Sequence, residues 1–179
     1  MPSMNNDQQN ALYIHNQARE EVNSQELIWS WQLADEAQTW AEYLAGTAMG
    51  EARSRLRMKG EDISQRIATI QLPTPRDPLT SVSSTWSSEK IHWDAKEIRS
   101  YCESRCKHLN YTQMIWSETT HLGMGAASNG STTFVVARYW PVGNVIGERP
   151  VVGGVKGDSE SESSESVGSQ RRNLRHPCV

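Results

Sequence analysis

Ala11, Ile14, Ala18 and Val22 recur every three or four residues, the period of one face of an α-helix. A clearer stripe follows at Leu33, Ala37, Trp40, Ala41 and Leu44, with Ser30 placed to accept from the first free N–H groups of a second helix. A third helix is predicted from Asp77-Pro78, an N-cap residue followed by a residue that needs no N–H in the first turn, and its stripe continues through Val82, Trp86 and Trp93. The pattern then changes. Leu122 to Ala127 and Thr132 to Tyr139 flank Ser128-Asn129-Gly130-Ser131, which predicts a hairpin with Asn129-Gly130 suited to positive φ. Pro141-Val142-Gly143-Asn144 ends the second strand. Helices beside a small antiparallel sheet predict an α+β layered fold.

The periodic body ends near Val152, so residues 1–152 form one domain. Residues 153–179 hold glycines, a Ser/Glu tract and then Arg171, Arg172 and Arg175, with no hydrophobic period, and read as a disordered tail. Acid-flanked Ser159, Ser161, Ser163 and Ser164 suit phosphorylation; an inert solubilising tail is the alternative. The net charge is −3, and the tail carries four basic and four acidic residues, so the acidic excess belongs to the body. That balance gives no electrostatic footprint for nucleic acid or for an anionic membrane.

The first ten residues show no basic segment leading into an apolar one, and no apolar run approaches the ~18 residues of a membrane span. The expectation is a cytoplasmic protein or one peripheral to internal membranes, and a secreted one if a signal peptide precedes this start. Pro2 excludes N-myristoylation and Cys178 is misplaced for prenylation. Three cysteines make no disulfide framework, which agrees with a reducing compartment.

Cys102 and Cys106 lie four apart and precede His108, so a metal reading is open; without a second ligand cluster, two reduced thiols is the simpler one. Glu89 falls three residues after Trp86 and four before Trp93, on the stripe that should be buried, and Glu61 follows Gly60. Two acids in a cleft would do acid/base work or hold a metal, whereas two hydrogen-bonded structural carboxylates is the plainer reading. Asn110, with Gln113 three residues on, reads as a variant capping box. Asn110-Tyr111-Thr112 and Asn129-Gly130-Ser131 are also formal glycosylation sequons, the first inside a segment that should be packed. His15, His92 and His121 read as hydrogen-bonding residues at the core edge. No G-x-S-x-G, H-E-x-x-H, P-loop or dinucleotide glycine motif is present.

Two segments, YTQMIWSETTHLGMG from Tyr111 and FVVARYWPVGNVIG from Phe134, together resemble the signature segments of the CAP superfamily. That superfamily comprises cysteine-rich secretory proteins, antigen-five venom proteins and plant pathogenesis-related class-one proteins. The signature positions are Tyr111, Thr112, Gln113, Trp116, Tyr139, Pro141, Gly143 and Asn144. HNQAR from His15, LADEAQTWAEYLA from Leu33, Gly60-Glu61-Asp62 and the W-x-x-E of Trp86 to Glu89 stand in the family's order, so the likeness covers about residues 11–147. It is most similar to the cysteine-poor, Golgi-associated branch, since Met124 and Ala137 stand where secreted members carry cysteine.

The resemblance implies a three-layer α-β-α sandwich whose cleft usually holds two His and two Glu, with a divalent metal on the histidines. Glu61 and Glu89 match the acidic pair; Asn110 stands at one His position, and Ala52 or Arg53 at the other. The implied site is a degenerate one with zinc lost and no cofactor, His108 being a substitute ligand only if its loop shifts. Arg53, if it faces the cleft, would neutralise Glu61 or Glu89. Family members are implicated in binding sterols, fatty acids or phospholipids, so the implied function is a non-catalytic module for a lipid or a membrane surface. The alternative is an intracellular interaction scaffold, homodimeric, with a regulatory acidic tail. A hydrolase would lack a positioned histidine as general base.

Overall fold

The computed structural model describes residues 2–46, 63–71, 73–98 and 107–151. The first helix, α1, spans Asn6–Glu20 and starts ahead of its apolar stripe because Asn5 and Gln8 cap it reciprocally. Asn5 Oδ1 accepts from the Gln8 N–H at 2.9 Å, and Gln8 Oε1 accepts from the Asn5 N–H at 3.0 Å. A two-residue strand, β1 (Ile28–Trp29), leads into α2 (Trp31–Gly46). Ser30 caps α2 as its position predicts, its Oγ accepting from the Leu33 N–H at 3.3 Å, and Leu33, Ala37, Trp40, Ala41 and Leu44 are buried.

The third helix, α3, spans Pro78–Ser88 with Pro78 in its first turn, but the Asp77 side chain makes no capping bond. Asp7 of α1 caps it instead: Oδ2 accepts from the Leu79 N–H at 3.1 Å, and Oδ1 from the Thr80 N–H at 2.8 Å and the Thr80 hydroxyl at 2.7 Å. The stripe does not continue to Trp93 as one α-helix. At Glu89 the chain tightens into a 3-10 turn, Glu89–His92, and Trp93 is extended. A six-residue helix, α4 (Leu109–Met114), follows.

The hairpin is present and slightly longer than its apolar runs, as β3 (His121–Ser128) and β4 (Thr132–Trp140). Of the turn pair only Gly130 has positive φ, at 87°. Asn129 instead holds the turn through its Oδ1, which accepts from the N–H groups of Ser131 and Thr132 at 3.1 and 2.9 Å. A further strand not predicted from the sequence, β2 (Ser64–Gln71), pairs antiparallel with β4, and β1 pairs parallel with β3, giving the order β1-β3-β4-β2. The sheet is therefore mixed rather than wholly antiparallel.

Strand alternation divides the core into two. Leu122 and Met124 of β3, with Val135, Ala137 and Tyr139 of β4, pack against α1, α3 and α4. Phe134 and Val136 face Trp40, Ala41 and Leu44 of α2, completing the α-β-α sandwich. On this second face α2 lies directly on the sheet backbone: a Cβ on Gly123 would fall 2.2 Å from the Ala34 nitrogen, and one on Gly125 2.4 Å from the Gln38 nitrogen. Met124 and Ala137 are register partners, both buried. Among the described residues no helix is long and apolar enough to cross a membrane. Ala52, Arg53, Glu61, Cys102, Cys106 and the tail lie outside the described residues.

Candidate functional site

The junction of α3 and α4 brings together two of the residues singled out by sequence. Glu89, half-buried at the start of the 3-10 turn, accepts three hydrogen bonds. Its Oε1 takes the Asn110 side-chain amide at 2.7 Å; its Oε2 takes the backbone N–H of Asn110 at 3.1 Å and that of Tyr111 at 3.3 Å. Those N–H groups belong to the first turn of α4, where no carbonyl of the helix can reach them. Asn110 is thus not the cap it resembles in sequence. His108 flanks the helix without a side-chain capping bond, and Gln113 turns into the core, where its Nε2 donates to Thr119 Oγ1 at 3.2 Å. An ionised carboxylate at a helix N-terminus is a stronger acceptor than a side-chain amide, so Glu89 takes the position a capping box would have filled.

This arrangement bears on metal binding. Glu89 is committed to three donors, and Asn110 turns the N–H side of its amide towards it. Among the described residues no three His, Cys, Asp or Glu side chains gather closely enough to hold an ion. The described residues do not fit a zinc centre. Beside Glu89 lies an open cleft of about 570 Å³, lined among others by Ser88, Lys90, Ile91, His92 and Lys107. Ile91 is 82% exposed, and Lys90 pairs with Glu21 at 2.6 Å. His92, expected at the core edge, is exposed, because the 3-10 turn swings it off the apolar stripe.

The remaining signature residues interlock as a scaffold. Thr119 Oγ1 accepts from Gln113 and donates to the Pro141 carbonyl at 2.9 Å. Asn144, at φ 53°, donates from Nδ2 to the Leu109 carbonyl at 2.7 Å, tying the end of β4 to α4. Gly143 is pressed against α4 and the residues just after it: a Cβ there would lie 2.6 Å from Gln113 Nε2 and 2.7 Å from Trp116 Cγ. The Trp140–Pro141 peptide is cis. Thr112 is buried, with its hydroxyl on the Leu109 carbonyl at 3.3 Å. Tyr111 tilts against Trp93 with ring centres 5.7 Å apart, and burial, with the Glu21 charge adding to it, pushes its hydroxyl up to about 12.

Two polar residues of α1 are buried, His15 more deeply than the core edge expected for it. His15 is wholly buried, its Nδ1 donating to the Ala11 carbonyl at 2.8 Å. Because a carbonyl can only accept, Nε2 is unprotonated and accepts the Tyr139 hydroxyl, also at 2.8 Å. Burial holds the imidazole down to about 4 and raises the Tyr139 phenol far above its usual range. Arg19, also buried, donates to the carbonyls of Met114 at 3.0 Å, Trp116 at 2.8 Å and Thr119 at 2.9 Å, and through Nε to that of Gln25. Burial lowers it to about 10. The spacing of His15 and Arg19 along the Ala11–Ala18 face was the available signal. His121 keeps its expected role, bonding Thr120 Oγ1 at 2.8 Å and lying edge-on to Trp140.

Residues 12–140 match the family described as CAP, Cysteine-rich secretory protein family. The chain is 32% identical over 149 residues to pathogenesis-related leaf protein 6 of Solanum lycopersicum, an alignment covering 81% of this chain and 84% of the tomato protein. It is 27% identical over 162 residues to venom allergen 5 of Microctonus hyperodae, covering 79% and 69% of the two chains. The crystal structure of NaASP2 with Zn2+ superposes with a TM-score of 0.67 at 19% identity, covering 84% of this chain and 88% of that one, a likeness of fold.

Proposed function

The chain belongs to the CAP family of cysteine-rich secretory proteins, and from that membership we propose that it is a non-catalytic module that binds a lipid (a sterol, fatty acid or phospholipid) or a membrane surface, with a degenerate metal site. The observation that carries the reading is Glu89. A carboxylate held by the Asn110 amide and two backbone N–H groups is engaged as a helix cap, which supports a structural role over that of general base or metal ligand. NaASP2 was crystallised with Zn2+; this chain, on the present reading, takes none. The lipid part is supported by the cleft beside Glu89, where exposed Ile91 stands among Lys90, His92 and Lys107, an apolar contact bordered by donors suited to an amphiphile. The core also supports the cysteine-poor branch, since Met124 and Ala137 fill facing buried positions.

Native mass spectrometry of the full chain with cholesterol, a phospholipid, oleate and zinc tests this. The expected result is a one-to-one lipid adduct and no zinc adduct. Stoichiometric zinc at micromolar metal, or a protein bare in every lipid, would overturn it.

A further inference from the structure

On the face of β2 that looks towards α1, α3 and α4 lies a guanidinium with no counter-charge in contact among the described residues. Arg66 is only 7% exposed, and its Nε and Nη2 have no hydrogen-bond acceptor among the described residues. Two residues earlier on the same face, Ser64 is fully buried and its hydroxyl likewise meets no partner among the described residues. In register Ser64 faces Tyr139 and Arg66 faces Ala137, which places both groups on the side of the sheet where Tyr139 meets His15.

The contrast with the other buried or half-buried arginines is informative. Arg19 is surrounded by carbonyls. Arg138, on the opposite face, has Glu36 at 2.6 Å and Gln65 at 3.2 Å. The Glu89 carboxylate, whose charge and that of Arg66 both act on the Tyr139 hydroxyl, is already committed to α4. A buried charge without a partner is strongly unfavourable, so Arg66 calls for an anion. The unpartnered atoms define its shape. Nε and Nη2 lie along one edge of the guanidinium, and that edge matches the two oxygens of a carboxylate side by side.

We propose that the Nε/Nη2 fork of Arg66, with the Ser64 hydroxyl as a third donor, binds the carboxylate of an acid from outside the chain. One guanidinium balances a monoanion, whereas a phosphate dianion would add surplus negative charge on the side of the sheet that already holds Glu89. The site does not depend on the lipid reading, because the head of a short acid fills the fork as well as that of a fatty acid.

The test is carbon NMR of carboxyl-labelled acetate and oleate titrated with the full chain, for wild type, Arg66→Lys and Ser64→Ala, with inorganic phosphate as competitor and thermal melts as the check on folding. Arg66→Lys keeps the charge and loses the fork, so binding should weaken at least tenfold; Ser64→Ala should weaken it severalfold, and phosphate should not compete. Acetate and oleate binding alike assign a small acid, and oleate alone an amphiphile; both support the site. Equal binding by wild type and Arg66→Lys, stronger binding of phosphate, or an absence of binding relieved only by Glu61→Gln would overturn it, the last because the chain's own carboxylate would then fill the fork. Cholesterol uptake should be the same in wild type and Arg66→Lys. If wild type takes up no lipid yet binds acetate through Arg66, the lipid reading fails and this site stands.

Discussion

Glu89 holds Asn110 at two points, the side-chain amide through Oε1 at 2.7 Å and the backbone N–H through Oε2 at 3.1 Å. One carboxylate thereby closes the gap between the end of α3 and the start of α4. The loss of that carboxylate should be felt as a loss of helix, not of chemistry. Glu89→Ala is expected to lower unfolding free energy by about 2 kcal/mol, the scale of a cap made by a charged acceptor. Urea denaturation checks this; Glu89→Gln, which keeps one acceptor oxygen, should lose less.

A paired comparison separates the cap read from sequence from the cap observed. Asp77 precedes Pro78 but makes no capping bond, whereas Asp7 accepts from both Leu79 and Thr80 across the α1–α3 contact. Asp7→Ala should cost about 1–2 kcal/mol, and Asp77→Ala less than about 0.5. Equal costs measured by denaturant titration would contradict this assignment.

His15 gives the protein an acid-sensitive core. Its ordinary value of 6.5 falls to about 4 in the folded protein, so between those values the unfolded chain binds a proton that the folded one refuses. Stability from this group is therefore complete above pH 6.5 and falls as pH drops towards 4, by about 3 kcal/mol in all at ~1.4 kcal/mol per pH unit. Stability curves at several pH values should show that slope. In His15→Gln, whose amide can serve the same two partners without titrating, the slope should be shallower over the same interval.

The close seat of α2 predicts intolerance of a single methyl group. Gly123→Ala would drive a Cβ to within 2.2 Å of the Ala34 nitrogen and 2.4 Å of the Leu33 carbonyl carbon, backbone atoms that cannot rotate away. A loss of about 3 kcal/mol or more, or failure to fold, is expected from thermal melts. At Gly46, where an added Cβ meets nothing within 4 Å among the described residues, the same change should be neutral or mildly stabilising because the residue is helical.

What the sequence disclosed and what it hid divide by distance along the chain. The Leu33–Leu44 stripe and the hairpin are periodic patterns within a dozen residues, and both appear where periodicity places them. The α1 box of Asn5 and Gln8 is local too, but it lies before the apolar stripe that drew attention. The caps of α3 and α4 join Asp7 to Leu79 and Glu89 to Asn110, pairings that no local spacing announces. Asn110 and Gln113 carried the residue types of a box without its geometry. β1 is too short to show a period, and in β2 the alternation of Ala68 and Ile70 is masked by polar neighbours. Arginine is usually a surface residue, so nothing local marks Arg66 as buried; the strand register places it inside.

α4 has six residues, well below the ~12–15 at which an isolated helix becomes even marginal in water. Its first N–H groups are satisfied by Glu89, its Leu109 carbonyl by Asn144, and its far end by Arg19, three elements that are themselves in place only in the assembled domain. Such a segment has no autonomous stability and is held only by its bonds to the rest of the domain. The amide protons of Asn110 and Tyr111 should exchange with solvent at the rate set by opening of the whole domain, making the shortest helix a cooperative reporter of global unfolding.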